Sequence, residues 1–314
     1  MSKAIAPNKL TRRRFLKLLG GGALAAAAGC ALDAAVIEPR WIKLTRPTVA
    51  IPDLPAEWNG LRIAHLTDLH HGRLIKLDFI EKAVGLANAE SPDLAAITGD
   101  FLTAGGDLSE GLARVLAGLK APLGVFAVLG NHDHWAGAGR VRQIVAAAGI
   151  TLIDNRHVLL TRGGRPLVLA GVGDLWEDTQ DLPGALAGAP DQAPRLLLCH
   201  NPDYADGMPP TPRVDLMLAG HTHGGQAKIP LGPRPRLPIR NPRYAAGLAR
   251  GPRCPVYVSR GIGMVGVPVR FNCRPELPII TLRRASPPGA RTQGRVGSGE
   301  PPSPQQQRDP GDDH

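Results

Sequence analysis

Five short apolar runs, at residues 61–67, 94–98, 125–129, 196–199 and 216–219, each stop at a Gly, an Asp or a His. Short runs with this punctuation read as buried strands. Between the early runs the period changes. Residues 77–89 carry Phe79, Ile80, Ala83, Val84, Leu86 and Ala87 at helical spacing, and residues 108–119 repeat the pattern. Apolar positions three and four apart line one helix face, so both segments predict helices covering a sheet. The order strand, polar cluster, helix, strand continues to Ile150, which is how βαβ units are built. Residues 151–160, 166–172 and 195–199 then add strands with fewer helices, and residues 41–45 and 48–51 predict an opening strand or arm. The expected fold class is α/β: a two-sheet β-sandwich flanked by helices, with a site at the strand C-terminal ends.

Ligands of such sheets sit beyond the carboxyl ends of the strands. All five runs end there in side chains that bind metals: Asp68-Leu69-His70, Gly99-Asp100, Gly130-Asn131-His132-Asp133, His200 and Gly220-His221-Thr222-His223. A lone H-x-H is equally well explained by two solvated loop histidines, and such a pair faces one way only while the chain stays extended. Five strand ends together point to a metal site. Asp, Asn and His form an oxygen and nitrogen set suited to Mn²⁺, Fe or Zn²⁺, with no thiolate to favour soft metals.

The order of these blocks resembles the calcineurin-like metallophosphoesterases, whose pattern is D-x-H, G-D, G-N-H-[DE], H and G-H-x-H. The likeness extends through Gly224-Gly225-Gln226, YVSRG at residues 257–261 and RFNCRPE at residues 270–276, and spans roughly residues 45–283. That longer stretch is similar to the bacterial exported branch of the family. The branch contains envelope phosphodiesterases and relatives that hydrolyse UDP-diacylglucosamine. The resemblance implies two divalent ions. Asp68, His70 and His223 would hold the first, Asn131, His200 and His221 the second, and Asp100 would bridge them. Paired dications ~4 Å apart screen an anionic ester and activate water. His132, beside a ligand without being one, is implied as the acid that protonates the leaving group, with Asp133 as its orienting partner. His65 reads as a core or outer-sphere residue, His71 and His134 as candidates for the pocket lining, and His157 and His314 carry no signal.

The two ends differ in composition from the middle. Of the formal net charge of +10, six units come from Lys3, Lys9, Arg12, Arg13, Arg14 and Lys17, with no acid before Asp33. The remaining +4 is too mild to argue for nucleic acid, and none is expected as a partner. Residues 1–32 read as an export leader: TRRRFLK at 11–17 matches the twin-arginine pattern, and about fifteen Gly/Ala-rich residues follow, fewer than the ~20 a membrane span needs. Ala27-Ala28-Gly29-Cys30 resembles a lipobox with Ala in place of Leu, and an uncleaved leader acting as an anchor is the other reading. Residues 33–285 form the expected catalytic domain. Residues 286–314, rich in Pro, Gly, Ser and Gln, predict a disordered tail. Cys30, Cys199, Cys254 and Cys273 have no metal-like spacing; Cys254 and Cys273 are the pair that an exported protein could bridge. Between Lys228 and Arg253 lie seven basic residues and no acid. They read either as a solvated loop or as a basic rim for a lipid- or polymer-linked anion.

These features predict an exported dimetal phosphoesterase at the periplasmic side of the cell envelope, reached through the twin-arginine machinery. It would hydrolyse a phosphomonoester, phosphodiester or pyrophosphate bond. One alternative is an enzyme like the UDP-2,3-diacylglucosamine pyrophosphatases of lipid A synthesis, whose cytoplasmic position conflicts with an export leader. A second is an envelope metal-binding protein without catalysis, for which His132 would have no purpose.

Overall fold

A computed structural model describes residues 11–285, apart from residues 104–109, 231 and 233–235. The expected tail at 286–314, the start of the leader, the first positions of the 108–119 helix and Arg234 lie outside the described residues. The chain opens with α1 (Arg12–Leu32) and continues through β1 (Lys43–Thr45), β2 (Thr48–Ile51), β3 (Arg62–Leu66), α2 (Leu77–Ala89), β4 (Leu94–Thr98), α3 (Glu110–Leu116) and β5 (Val125–Val128). Next come α4 (Asn131–Trp135), α5 (Ala138–Ala147), β6 (Thr151–Leu152), β7 (Arg156–Arg162), β8 (Arg165–Gly171), β9 (Arg195–Leu198), β10 (Leu216–Ala219), β11 (Gly247–Arg250), β12 (Pro255–Val258) and β13 (Glu276–Arg284).

The strands form two sheets, ordered β1-β13-β3-β4-β5-β6, with β2 also on β13, and β11-β12-β10-β9-β8-β7. Their centres are parallel, β3 to β6 in one and β8, β9, β10 and β12 in the other. The central strands are largely apolar because both faces are covered. Leu94 and Ala96 of β4 face the core between the sheets, where Leu196 and Leu198 of β9 and Leu216 and Leu218 of β10 meet them. Ala95 and Ile97 face outward under α2, α3 and α5. Helix α2 forms because Ile80, Ala83, Val84 and Ala87 recur on one side, and these four are its buried residues. Parallel alignment brings the C-terminal ends of β3, β4, β5, β9 and β10 to a common edge, which is where the polar clusters begin.

Three expectations are corrected. Residues 151–160 are not one strand: they divide at Asn155, whose φ of 51° turns the chain, so that β6 joins the first sheet and β7 the second. The leader's helix is longer than its apolar stretch suggested. Helix α1 has 21 residues and runs on through tighter and wider turns to Arg40, long and apolar enough in all to cross a membrane. Cys254 and Cys273 are both free. Cys254 packs in the outer core of the second sheet, whereas Cys273 Sγ lies 3.2 Å from the carbonyl of His223.

Candidate metal centre

Six of the seven expected ligands converge although they come from four separate strand ends, and Asn131, the first residue of α4, lines the same cleft. His70 Nε2 lies 3.0 Å from His223 Nε2 and 3.4 Å from Asp100 Oδ2. His223 Nε2 is 3.3 Å from Asp68 Oδ1. On the other side, His200 Nε2 is 3.2 Å from the same Asp100 Oδ2 and 3.1 Å from His221 Nδ1. Asp100 therefore stands between two groups: Asp68, His70 and His223 on one side, His200 and His221 on the other. All are buried, and Asn131 is buried with them. The two histidines of H-x-H do not share a direction. The strand has ended at Ala219, and His221 and His223 adopt φ of 70° and 51°, which sends one ring to each group.

Asp68, His70 and Asp100 also have positive φ, at 52°, 48° and 57°. Such conformations cost on the order of 1–3 kcal/mol each and persist only where the surroundings enforce them. Close loop packing does so here. A Cβ on Gly99 would lie 2.5 Å from the backbone nitrogen of Gly130, so the G-D and G-N turns touch through their glycines.

Hydrogen bonds select the tautomers. His200 Nδ1 donates to the Thr98 carbonyl at 2.7 Å, and His221 Nε2 donates to the Pro238 carbonyl at 3.0 Å. When neutral, each ring then turns a bare nitrogen inward, and those two nitrogens are the pair 3.1 Å apart. Two lone pairs so placed repel unless a cation or a proton lies between them. Nδ1 of His70 and of His223, and Oδ1 of Asn131, are buried without a hydrogen-bond partner among the described residues. Burial lowers the pKa of His70 to about 4 and that of His221 to about 3, and it pushes His223 down as well. Neutral imidazole is the metal-binding form. His200 is the exception: burial opposes its charge, but Asp100 and Asp68 outweigh that and raise it. Burial likewise lifts Asp68 to about 6, while Asp100 is held low against its burial by His200 and His70. The donor set, its lone pairs and its carboxylate at the centre fit a pair of divalent cations.

His132 projects from α4 into the cleft, edge-on to His70 with ring centroids 4.7 Å apart. Asp133 does not orient it, contrary to expectation. The Asp133 carboxylate is fully buried and accepts from the backbone N–H groups of Asp100, Phe101, Leu102 and Gly130 at 2.8–3.2 Å. Successive side chains on a helix point about 100° apart, so neighbours in the sequence are not neighbours in space here. His132 is held instead through its own N–H, which donates to Asp100 Oδ1 at 2.9 Å, and by the Trp135 ring at 4.6 Å. Asp133→Asn would turn an amide NH₂ toward four donors. With a buried donor left unsatisfied costing ~1–3 kcal/mol, it is expected to cost about 3 kcal/mol, read as a lower denaturation midpoint of the metal-free chain.

The remaining histidines separate. His65, its pKa lowered to about 3 by burial, bonds Thr98 Oγ1 at 2.9 Å behind the site. His71 bonds the Ile75 carbonyl and His157 the Ala185 carbonyl, and neither these nor His134 line the cleft. The sequence reading missed Asp174, Trp135 and Trp176. Asp174 follows β8 and Gly173, a sixth strand end with the same Gly-Asp signature. Its Oδ1 caps the N–H groups of Trp176 and Glu177, and its Oδ2 is buried and unpartnered among the described residues. Trp135 against His132 and Trp176 against His221 wall a cleft of about 320 Å³, each ring half exposed. Of the seven basic residues at 228–253, Arg236 lines this cleft, whereas Arg250 and Arg253 lie around the Pro255 end of β12, away from the site edge.

Residues 61–225 match the family model described as calcineurin-like phosphoesterase. The chain is 34% identical to the phosphodiesterase YaeI of Escherichia coli over 87% of this chain and 99% of that protein. It is 31% identical to the uncharacterized metallophosphoesterase YkuE of Bacillus subtilis, over 88% of this chain and 98% of that one. It is also 30% identical to a zebrafish (Danio rerio) transmembrane protein with a metallophosphoesterase domain, over 77% of this chain and 58% of the relative.

Proposed function

Because the chain belongs to the calcineurin-like phosphoesterase family, a family of metal-dependent phosphoester hydrolases with a dinuclear centre, we propose that it is a phosphodiesterase of the cell envelope. The observation that carries hydrolysis is the buried convergence of Asp68, His70, His200, His221 and His223 around Asp100, with imidazole nitrogens turned toward one another at about 3 Å and Asn131 buried on the same cleft. The preference for a diester is supported by the name of the Escherichia coli relative. It is supported too by the cleft, where Trp135 and Trp176, their rings stacked with centroids 6.5 Å apart, offer an apolar surface beside the donors.

Asp68, His70 and His223 would hold one divalent ion, and Asn131, His200 and His221 the other, with Asp100 shared. Bound there, the two ions would neutralise the phosphate and lower the pKa of a coordinated water. The chain's own contribution is positional. The Thr98 and Pro238 carbonyls hold His200 and His221 in the ligating tautomer, and the Asp133 carboxylate fixes the loop that carries Asp100. His132 stands at the cleft beside His70, where it donates its proton to the leaving oxygen as the P–O bond breaks. The test is activity profiling of the metal-loaded chain against soluble mono-, di- and pyrophosphate esters. Hydrolysis of diesters that is lost with chelator and restored by Mn²⁺ or Zn²⁺ is expected. Cleavage of the anhydride alone would overturn the diester reading.

The envelope location rests on the paired Arg12 and Arg13 that open α1, and on six basic residues preceding the apolar part of that helix. This bias keeps the N-terminal side in the cytoplasm and the domain outside. Arg12→Lys with Arg13→Lys is expected to trap the protein in the cytoplasm, seen by fractionation. Unchanged export in cells without the twin-arginine machinery would remove this placement.

A further inference from the structure

Helix α1 stands outside the core. None of its 21 residues is buried, and its apolar positions Leu18, Leu19, Leu24 and Leu32 are 55–73% exposed. Its charged first turns, through Lys17, precede the apolar part, and the helical stretch of 29 residues from Arg12 to Arg40 is long and apolar enough to cross a bilayer, whose hydrocarbon core is ~30 Å thick. Its far end is fastened. The Ala34 carbonyl accepts from Arg270 N at 2.9 Å, and the buried Glu38 carboxylate accepts from the N–H groups of Asn272 and Cys273. Arg270, fully buried, bonds the carbonyls of Arg260, Gly261 and Cys273. The loop it grips also packs on the site, with Ile262 N donating to the Thr67 carbonyl at 3.1 Å.

From that clamp a ladder of backbone bonds leads to the cleft. Phe271 N donates to the Gln226 carbonyl at 2.9 Å and Lys228 N to the Phe271 carbonyl at 2.8 Å. Gln226 lines the cleft, and its amide bonds both the carbonyl and the N–H of Val265 on the same wall. The segment leaving α1 is thus two chain spacings, about 10 Å, from the mouth. The ladder carries exposed apolar side chains, Val267 at 62% and Ile229 at 59%, and Trp41 lies at the foot of the helix at 58%. Beside Trp41 is a second hollow of about 250 Å³ lined by Lys43, Arg260 and Arg274, with Asp33 and Glu38. The Arg274 guanidinium sits 3.7 Å over the Trp41 ring, and Glu38 is already engaged by backbone. A half-exposed tryptophan with cations at the end of an apolar helix is the composition of a membrane interface.

We propose that α1 stays attached as an anchor and that the face from which it emerges rests on an anionic phospholipid bilayer. Lys43, Arg260 and Arg274 then take a lipid phosphate, and the mouth of the metal cleft opens at the lipid surface. On the phosphodiesterase reading above, its substrate is a diester embedded in that membrane.

The full chain, with Cys30→Ser to remove its exposed thiol, would carry an environment-sensitive dye at Val267→Cys or, on the remote edge strand, at Leu248→Cys. Reconstituted into phosphatidylglycerol/phosphatidylcholine vesicles, the dye at 267 is expected to brighten several-fold and shift to the blue, while at 248 it stays as in detergent. Equal responses at the two positions would overturn the proposal, and so would a mature protein from cells whose N-terminus lies beyond Leu32. Lys43→Gln with Arg274→Gln should raise KM for a diester lipid in anionic vesicles about fivefold per charge removed, and leave bis(p-nitrophenyl) phosphate hydrolysis unchanged. An unchanged KM in anionic vesicles would count against the headgroup site. Loss of soluble-diester hydrolysis in the parent chain would instead sink the phosphodiesterase reading, because the dye reports orientation without turnover.

Discussion

Asp100→Asn is expected to abolish turnover while leaving the fold in place. One carboxylate oxygen of Asp100 lies 3.4 Å from His70 Nε2 and 3.2 Å from His200 Nε2, and the other accepts from His132 N. No other side chain faces both donor groups at such distances among the described residues. The amide keeps the shape, and Asn tolerates the left-handed φ of 57° that Asp adopts there. What it removes is the charge between two cations. The loss of kcat/KM should exceed the ~10–100-fold seen when an outer-sphere partner of a metal ligand is changed. Metal analysis of the purified variant should show both ions depleted, since each shares this ligand. A variant that retained two tightly bound ions and a near-normal rate would show that Asp100 does not bridge.

Much of the fold was legible because burial on both faces leaves a strand few polar positions. β4 is LAAIT and β9 is RLLL, apolar runs interrupted only at their ends, by Thr98 and by the tethered Arg195. The covering helix α2 was legible for the complementary reason, one buried side at a period near 3.6. The ligands were legible because strand ends in a parallel sheet share an edge, so order along the chain implies proximity.

Three features escaped for physical reasons. Helix α4 begins at Asn131, within the polar cluster itself, so no apolar period announces it, and the assumption that Asp133 would face His132 failed with it. The break between β6 and β7 depends on Asp154-Asn155, a weak turn signal whose Asp accepts from Leu129 N in the neighbouring loop. Trp135 and Trp176 are 41 positions apart, and only the folded chain stacks their rings beside the cleft. Asp174 was the avoidable omission. It follows an apolar run and a glycine as Asp100 does, but here the carboxylate caps its own turn, a use that the local pattern does not distinguish from ligation.

His132→Ala is expected to separate substrates by leaving group. The ring reaches the cleft beside His70, while the contact that ties residue 132 to Asp100 is made by its backbone N–H and survives the substitution. The donor atoms of the two metal groups are untouched, so metal content should stay at the parental level. The cost falls on protonation of the departing oxygen, for which general acid catalysis contributes ~10²–10⁴-fold. A methyl or other alkyl ester, whose alkoxide is a strong base, should lose nearly all of that factor. A p-nitrophenyl ester, whose phenolate leaves without a proton, should lose little. The ratio of the two rates, measured on variant and parent at matched metal occupancy, therefore reports the proton directly. An equal loss on both substrates with metal retained would mean that the ring positions the phosphate rather than protonating the leaving group. Loss of metal would place His132 among the ligands, where its 4.7 Å contact with His70 makes it the nearest additional donor ring.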